Sequence, residues 1–219
     1  MLKLVLFDVD GTLVDSQAHI VASMAQAFVS LRMTPPTREQ TLGIVGLSLP
    51  QAMAVLAPEG PVEHLVDAYK AAYQDLRSSH GEATASPLYD GIKAALDAIY
   101  EMDDTLLGVA TGKSRRGLDH VIATHDLAWY FVTRQDADGH PSKPHPSMAL
   151  AAMAEAGAEQ GVMIGDTTYD LEMGRAAGLK TIGVTWGYHP TALLGPLADV
   201  VVGTPAELPA AVAAIWGDI

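Results

Sequence analysis

Five short runs of aliphatic and β-branched residues, separated by stretches with helical spacing, constrain this chain more than any other feature. Lys3 to Phe7, Leu106 to Ala110, Val162 to Ile164, Thr181 to Thr185 and Val200 to Val202 each follow or precede such a stretch. Runs that are continuously apolar, rather than alternating, belong to strands buried on both faces, as in parallel sheets covered by helices. The expected class is α/β: a doubly wound, Rossmann-like parallel sheet.

Between Asp15 and about Ala83 the alternation stops. That segment reads as helical throughout, interrupted by Pro35-Pro36, by Gly43 and Gly46, and by Pro58 to Pro61. Its clearest helix carries Val62, Leu65, Val66, Tyr69, Ala72, Tyr73 and Leu76 at spacings of three and four, a stripe that reads as bundle core. The small, polar stretch Gly81 to Pro87 reads as the linker back to the sheet. The chain is thus expected to divide into an α/β core, residues 1–14 and 84–219, and an inserted all-helical domain, residues 15–83. A length of 219 residues with 49% hydrophobic content suffices for one sizeable core and a small second one.

Composition excludes several classes of function. Thirteen basic residues against 26 acidic ones give a formal charge of −13, which repels nucleic acid and anionic membranes. The opening MLKLVLF runs into acids before it reaches the length of a signal peptide or membrane span, so a soluble, cytoplasmic protein is expected. Cysteine is absent, which removes disulfides, thiolate metal sites and thiol nucleophiles. The eight histidines show no metal-ligand spacing. A small anionic substrate is compatible with this charge only where a metal ion and a few placed lysines reverse the field locally.

Four motifs carry chemistry. Asp8-Val9-Asp10-Gly11-Thr12 follows the first strand, and Gly11 lets the chain turn so that both carboxylates face one crevice, one suited to nucleophilic attack and the other to proton transfer. A calcium loop is excluded: the glycine comes two positions early and His19 occupies the place of the bidentate glutamate. Val109-Ala110-Thr111-Gly112-Lys113-Ser114 places a hydroxyl and backbone N–H groups at a helix start, which suits a phosphate. It is not a P-loop, because only three residues separate Gly108 from Gly112. Lys143, in Ser142-Lys143-Pro144-His145-Pro146, is held by rigid flanks as a point charge aimed inward. Gly165-Asp166-Thr167-Thr168-Tyr169-Asp170 follows a strand with two acids four apart, an oxygen-donor set suited to magnesium.

These motifs, in this order and each at a strand's C-terminal end, resemble the four motifs of the haloacid dehalogenase-like superfamily. The helical insert resembles that family's small helical cap, and the overall pattern is similar to phosphoglycolate phosphatases and their neighbours. The resemblance implies a magnesium-dependent phosphatase acting on small phosphorylated metabolites, phosphoglycolate-like or sugar phosphates, through an aspartyl-phosphate. It implies that Asp8 is the nucleophile and Asp10 the general acid/base. Gly11, Thr12, Thr111, Gly112 and Lys143 would hold the phosphate, with Thr111 and Lys143 the principal holders. Asp8, the Asp10 carbonyl and Asp166 would hold the metal, with Asp170 supporting them. Specificity would come from the cap, where Gly46, Ser48, Arg38 and Arg32 are candidates. A sugar-phosphate mutase of the same superfamily is the alternative, and a phosphoaspartate signalling domain a more distant one. Asp10 argues against dehalogenation. Lys70, the insert's only lysine, has no flanking motif for the Schiff base of phosphonate hydrolysis.

Overall fold

The computed structural model describes residues 1–80 and 86–217. The chain enters through strand β1 (Lys3–Phe7) and passes through four helices, α1 (Gln17–Ser30), α2 (Arg38–Leu42), α3 (Leu49–Leu56) and α4 (Val62–His80). It then alternates: α5 (Ile92–Tyr100), β2 (Thr105–Ala110), α6 (Arg115–Thr124), β3 (Phe131–Gln135), α7 (Ser147–Ala156), β4 (Gln160–Gly165) and α8 (Thr168–Ala176). The last elements are β5 (Lys180–Val184), α9 (Thr191–Leu194), β6 (Val200–Val202) and α10 (Leu208–Trp216). The strands lie in the order β3-β2-β1-β4-β5-β6, and every neighbouring pair is parallel. This is the doubly wound α/β sheet expected from the sequence.

Strand β1 shows why its sequence is continuously apolar. Val5 and Phe7 join a cluster on one face with Ile92, Leu96 and Ile99 of α5 and Leu118, Val121 and Ile122 of α6. Leu4 and Leu6 face the other way, onto Met148, Ala149 and Ala152 of α7 and Met173 of α8. Both faces are covered, so neither parity of the strand tolerates a polar residue.

The sequence reading had no strand at β3. Lying at the sheet edge, it buries Phe131 and Thr133 while Val132 is half exposed, and it continues into Arg134 and Gln135. Burial alternates along it, one face covered and the other open, so it lacks the apolar run that marks the others.

Helices α1 to α4 pack around their own cluster, with Met24, Phe28, Ile44, Ala52, Met53, Leu65 and Val66 buried together. The stripe on α4 faces this cluster as its spacing requires. The two connections between these helices and the sheet run side by side: Asp15 donates its backbone N–H to Pro87 (2.8 Å), Tyr89 donates to Leu13 (3.0 Å), and Val14 bridges Leu88 in antiparallel fashion. Most of the expected linker, residues 81–85, lies outside the described residues. Among the described residues no helix is long and apolar enough to cross a membrane.

Leu65 is fully buried in the helical cluster. Leu65→Ala should therefore lower stability by about 2–5 kcal/mol in urea unfolding. A loss well under 1 kcal/mol would show that the cluster does not hold these helices together.

Candidate active site

Strands β1, β2 and β4 are adjacent, with β2 on one side of β1 and β4 on the other. The chain winds in opposite directions from that point, which opens a crevice at the C-terminal ends of these strands. Asp8 follows β1, Thr111 follows β2 and Asp166 follows β4, and all three are buried there. The turn after Asp8 depends on Gly11, whose φ of 89° is left-handed and whose missing Cβ would lie 2.2 Å from Asp166 Oδ2. Gly187 is excluded from carrying a side chain by the same acid, since a Cβ there would lie 2.2 Å from Asp166 Cβ.

Lys143 reaches this crevice from the loop before α7. Its Nζ lies 2.7 Å from Asp8 Oδ1 and 2.6 Å from Asp170 Oδ1, and all three side chains are essentially inaccessible to water. Burial works against the lysine's charge, but Asp170 and Asp8 together hold its pKa above the ordinary value. Burial pushes Asp8 up to about 7, against the lowering effect of Lys143, and Asp170 and Asp10 add to the rise. Asp166 is raised well above the carboxylate range, first by burial and then by Asp170 and Asp8.

The remaining oxygens of these acids have different fates. Asp166 Oδ1 accepts from Thr12 Oγ1 (2.9 Å) and Oδ2 from the Tyr188 N–H (2.9 Å). Asp170 Oδ2 accepts from the Thr167 N–H (3.0 Å) and hydroxyl (2.7 Å). Asp8 Oδ2 is buried and has no hydrogen-bond partner. One oxygen from each of Asp8, Asp166 and Asp170 lies within 4.8 Å of the others. An all-carboxylate cluster with an orphaned buried oxygen fits a hard divalent cation.

Asp10 points elsewhere. Its Oδ1 pairs with Lys113 Nζ at 2.8 Å and accepts the Ser16 hydroxyl, which in turn lies 3.0 Å from the Tyr188 hydroxyl. Its carboxylate is therefore outside the three-acid cluster. Lys113, like Lys143, is opposed by burial and held above its usual pKa by Asp10 and Tyr73.

The helical insert sits on the core through residues 43–48. The Gly43 carbonyl accepts from the Tyr169 hydroxyl (3.0 Å) and lies 3.4 Å from His189 Nε2. His189 Nδ1 accepts from the Thr168 N–H, which leaves Nε2 as the protonated nitrogen. The Ser48 N–H donates to Ser142 Oγ at 2.8 Å. Gly112 permits this approach, because a Cβ there would meet the carbonyl oxygens of Gly46 and Leu47 at 2.6 Å. Insert and core enclose a cavity of about 300 Å³ lined by Asp8, Asp10, Thr111 and Gly112 from below and by Gly46, Ser48, Tyr69 and Tyr73 from the insert.

The motif residues named from the sequence thus converge, and Gly46 and Ser48 join them. Arg38 and Arg32 do not: both are exposed and neither lines the cavity. Arg38 opens the short helix α2 after the Thr37 cap, and Arg32 ends α1 with φ 57°, so both belong to turns turned away from the crevice. Sequence reasoning missed Ser16, Lys113 and Tyr188. Lys113 carried a signal, since it directly follows the Thr111-Gly112 turn; Tyr188 follows Gly187, itself the trace of a close approach.

A family model described as haloacid dehalogenase-like hydrolase matches residues 5–184. The chain is 35% identical over 217 residues to a "probable phosphatase IndB" of Dickeya dadantii, covering 95% of this chain and 92% of that protein. It is 27% identical to a phosphoglycolate phosphatase of Vibrio parahaemolyticus, covering 94% of each. A crystal structure titled as a predicted phosphatase from Clostridium acetobutylicum superposes with a TM-score of 0.83 at 26% identity, covering 98% of this chain and 99% of that one.

The contact at Gly112 makes a direct test of the docked insert. Gly112→Ala should push residues 43–48 off the core and raise amide hydrogen exchange across that segment, with the Ser48 N–H losing its protection. Exchange indistinguishable from the parent would mean that Gly112 does not set this contact.

Proposed function

The chain belongs to the haloacid dehalogenase-like hydrolases, and from that premise we propose that it is a phosphatase for small phosphorylated metabolites that works through an aspartyl-phosphate on Asp8. The observation that carries this reading is the Asp8 carboxylate itself, with one oxygen fixed by Lys143 and the other buried beside the cavity without a partner. A nucleophile has to be held in line and left with a lone pair to spend, and this arrangement supplies both.

In this reading Asp8 attacks phosphorus, the bond to the leaving oxygen breaks, and Asp10 delivers the proton that the leaving alcohol needs. Asp10, then ionised, takes a proton from the water that opens the aspartyl-phosphate and releases inorganic phosphate. Lys113 and Ser16 orient Asp10 by binding the same oxygen. Thr111 and Lys143 hold the phosphoryl oxygens, and Lys143 favours the ionised form of Asp8 against the cost of burial. Asp8, the Asp10 carbonyl and Asp166 would hold magnesium, with Asp170 supporting them while it anchors Lys143. The bound ion supplies charge neutralisation to a carboxylate and a phosphate that would otherwise repel. The helical insert acts as a cap, excluding water from the crevice and selecting the substrate. A mutase would use the same core groups and differ in how long the aspartyl-phosphate survives.

Two tests follow. With an activated ester whose leaving group needs no proton, Asp10→Asn should be phosphorylated and stall, gaining about 80 Da in acid-quenched intact mass, whereas Asp8→Asn should gain nothing. Label on Asp8→Asn would move the nucleophile elsewhere. Magnesium should raise the melting temperature of the parent and support turnover that excess chelator abolishes. Asp166→Asn should lose both the magnesium-dependent shift and the activity. Turnover by the parent in excess chelator would end the metal assignment.

A further inference from the structure

The cavity is wider and less polar than a two-carbon phosphate requires. Its insert side is formed by Ile20, Met24, Leu47, Leu49, Tyr69 and Tyr73, and the polar side chains that the insert contributes, Ser48, Lys70, Gln74 and Arg77, are half-buried or exposed. Tyr69 and Tyr73 occupy one face of α4, with ring centroids 5.9 Å apart. Tyr73 is locked from behind: the His19 ring stacks on it at 4.0 Å with an interplanar angle of 3°, and His19 Nε2 lies 3.0 Å from the Tyr73 carbonyl. Lys113 Nζ, already paired with Asp10, lies 5.7 Å from the centre of the same ring. The aromatic wall is therefore rigid and placed beside the groups that would carry the chemistry.

Resting on the phosphatase reading, we propose that the preferred substrate is a phosphate monoester with a flat apolar or aromatic body, which lies between the Tyr69–Tyr73 wall and Leu47 and Leu49 while its phosphate reaches Asp8. A cavity of about 150 Å³ is enough to hold one benzene ring. The roughly doubled space here takes a ring and the phosphate together. A polyhydroxylated sugar would set those of its hydroxyls that do not reach Ser48, Lys70, Gln74 or Arg77 against aliphatic side chains and leave them unpaired, at a cost in affinity. A two-carbon acid would leave most of the apolar wall uncovered. Apolar ligands gain from such a wall by removing it from water, and a flat ring gains further by offset or edge contact with the tyrosines.

Comparing esters of equally poor leaving groups isolates this effect from bond strength. The parent enzyme with magnesium should hydrolyse 2-phenylethyl phosphate with kcat/KM at least about tenfold above ethyl phosphate, the gain lying in KM, because both release a primary alkoxide and differ by one buried ring. Calorimetry with the matching phosphonates, which cannot be hydrolysed, should show 2-phenylethylphosphonate binding at least about tenfold more tightly than ethylphosphonate. Leu49→Asn, at the partly exposed start of α3, and Tyr69→Asn, on α4, should each reduce that affinity ratio by about threefold or more. Equal affinities for the two phosphonates would overturn the aromatic-body assignment while leaving the phosphatase reading intact. Tight, ring-dependent binding without hydrolysis of either ester would remove the phosphatase reading and leave the pocket assignment standing.

Discussion

The structure turns on a lysine buried between two carboxylates. Lys143 sits 2.7 Å from Asp8 and 2.6 Å from Asp170, with Asp166 close enough to share a ligand with both acids. Taking such charges out of water is expensive, and their attraction offsets that cost only when the geometry is tightly held. The surrounding sheet provides the rigidity. Asp8 and Asp166 hang from adjacent buried strands whose residues pair in register from Lys3 with Gln160 to Phe7 with Ile164. Asp170 is fixed by the first turn of α8 through Thr167, and Gly165 makes room for it, since a Cβ there would lie 2.3 Å from Asp170 Cβ. The stable part of the molecule thus supports a centre that by itself opposes folding, which is the expected relation between scaffold and site.

Most of the core was legible in the sequence because it depends on local rules. A buried parallel strand must be apolar on both faces, and β1, β2 and β4 announce themselves in that way; Asp8, Thr111 and Asp166, which follow them, can then be picked out by position. The edge strand β3 escaped because only Phe131 and Thr133 need to be buried. The residues that the motifs named come together for the same reason, being tied to strand ends and glycine turns. Ser16, six residues from Asp10, and Tyr188, which donates to Asp166 from 22 residues away, carry no such mark. Arg32 and Arg38 are exposed and lie outside the cavity lining, so charge alone did not place a residue there.

Docking of the helical insert uses backbone more than side chains. Gly43 offers a carbonyl to Tyr169 and His189, Ser48 offers an N–H to Ser142, and Gly112 allows two further carbonyls to come within reach. Contacts of this kind hold a lid in place with little dependence on which side chains line its underside. The cavity face of the insert is thus not tied up in docking, and it carries aliphatic and tyrosine side chains.

Charge explains why an acidic chain can still select an anion. Asp8, Asp10, Asp166 and Asp170 line or border the crevice, and Lys113 and Lys143 are paired with three of them. These four carboxylates against two ammonium groups leave two negative charges when all are ionised, and that crowding adds to the burial that raises the pKa of Asp8 and Asp166. A phosphate added alone would deepen it. One divalent cation would offset it, so that on the proposed function ion and phosphate would favour each other's binding to the same degree, by linkage. The acidic surface, which repels polyanions at a distance, carries little weight here, because solvent and salt screen it beyond about 10 Å while the crevice groups act within 3 Å of one another. On the proposed function, what decides whether a phosphate enters is thus the balance of charge inside the crevice, where a cation and a phosphate would be taken up together.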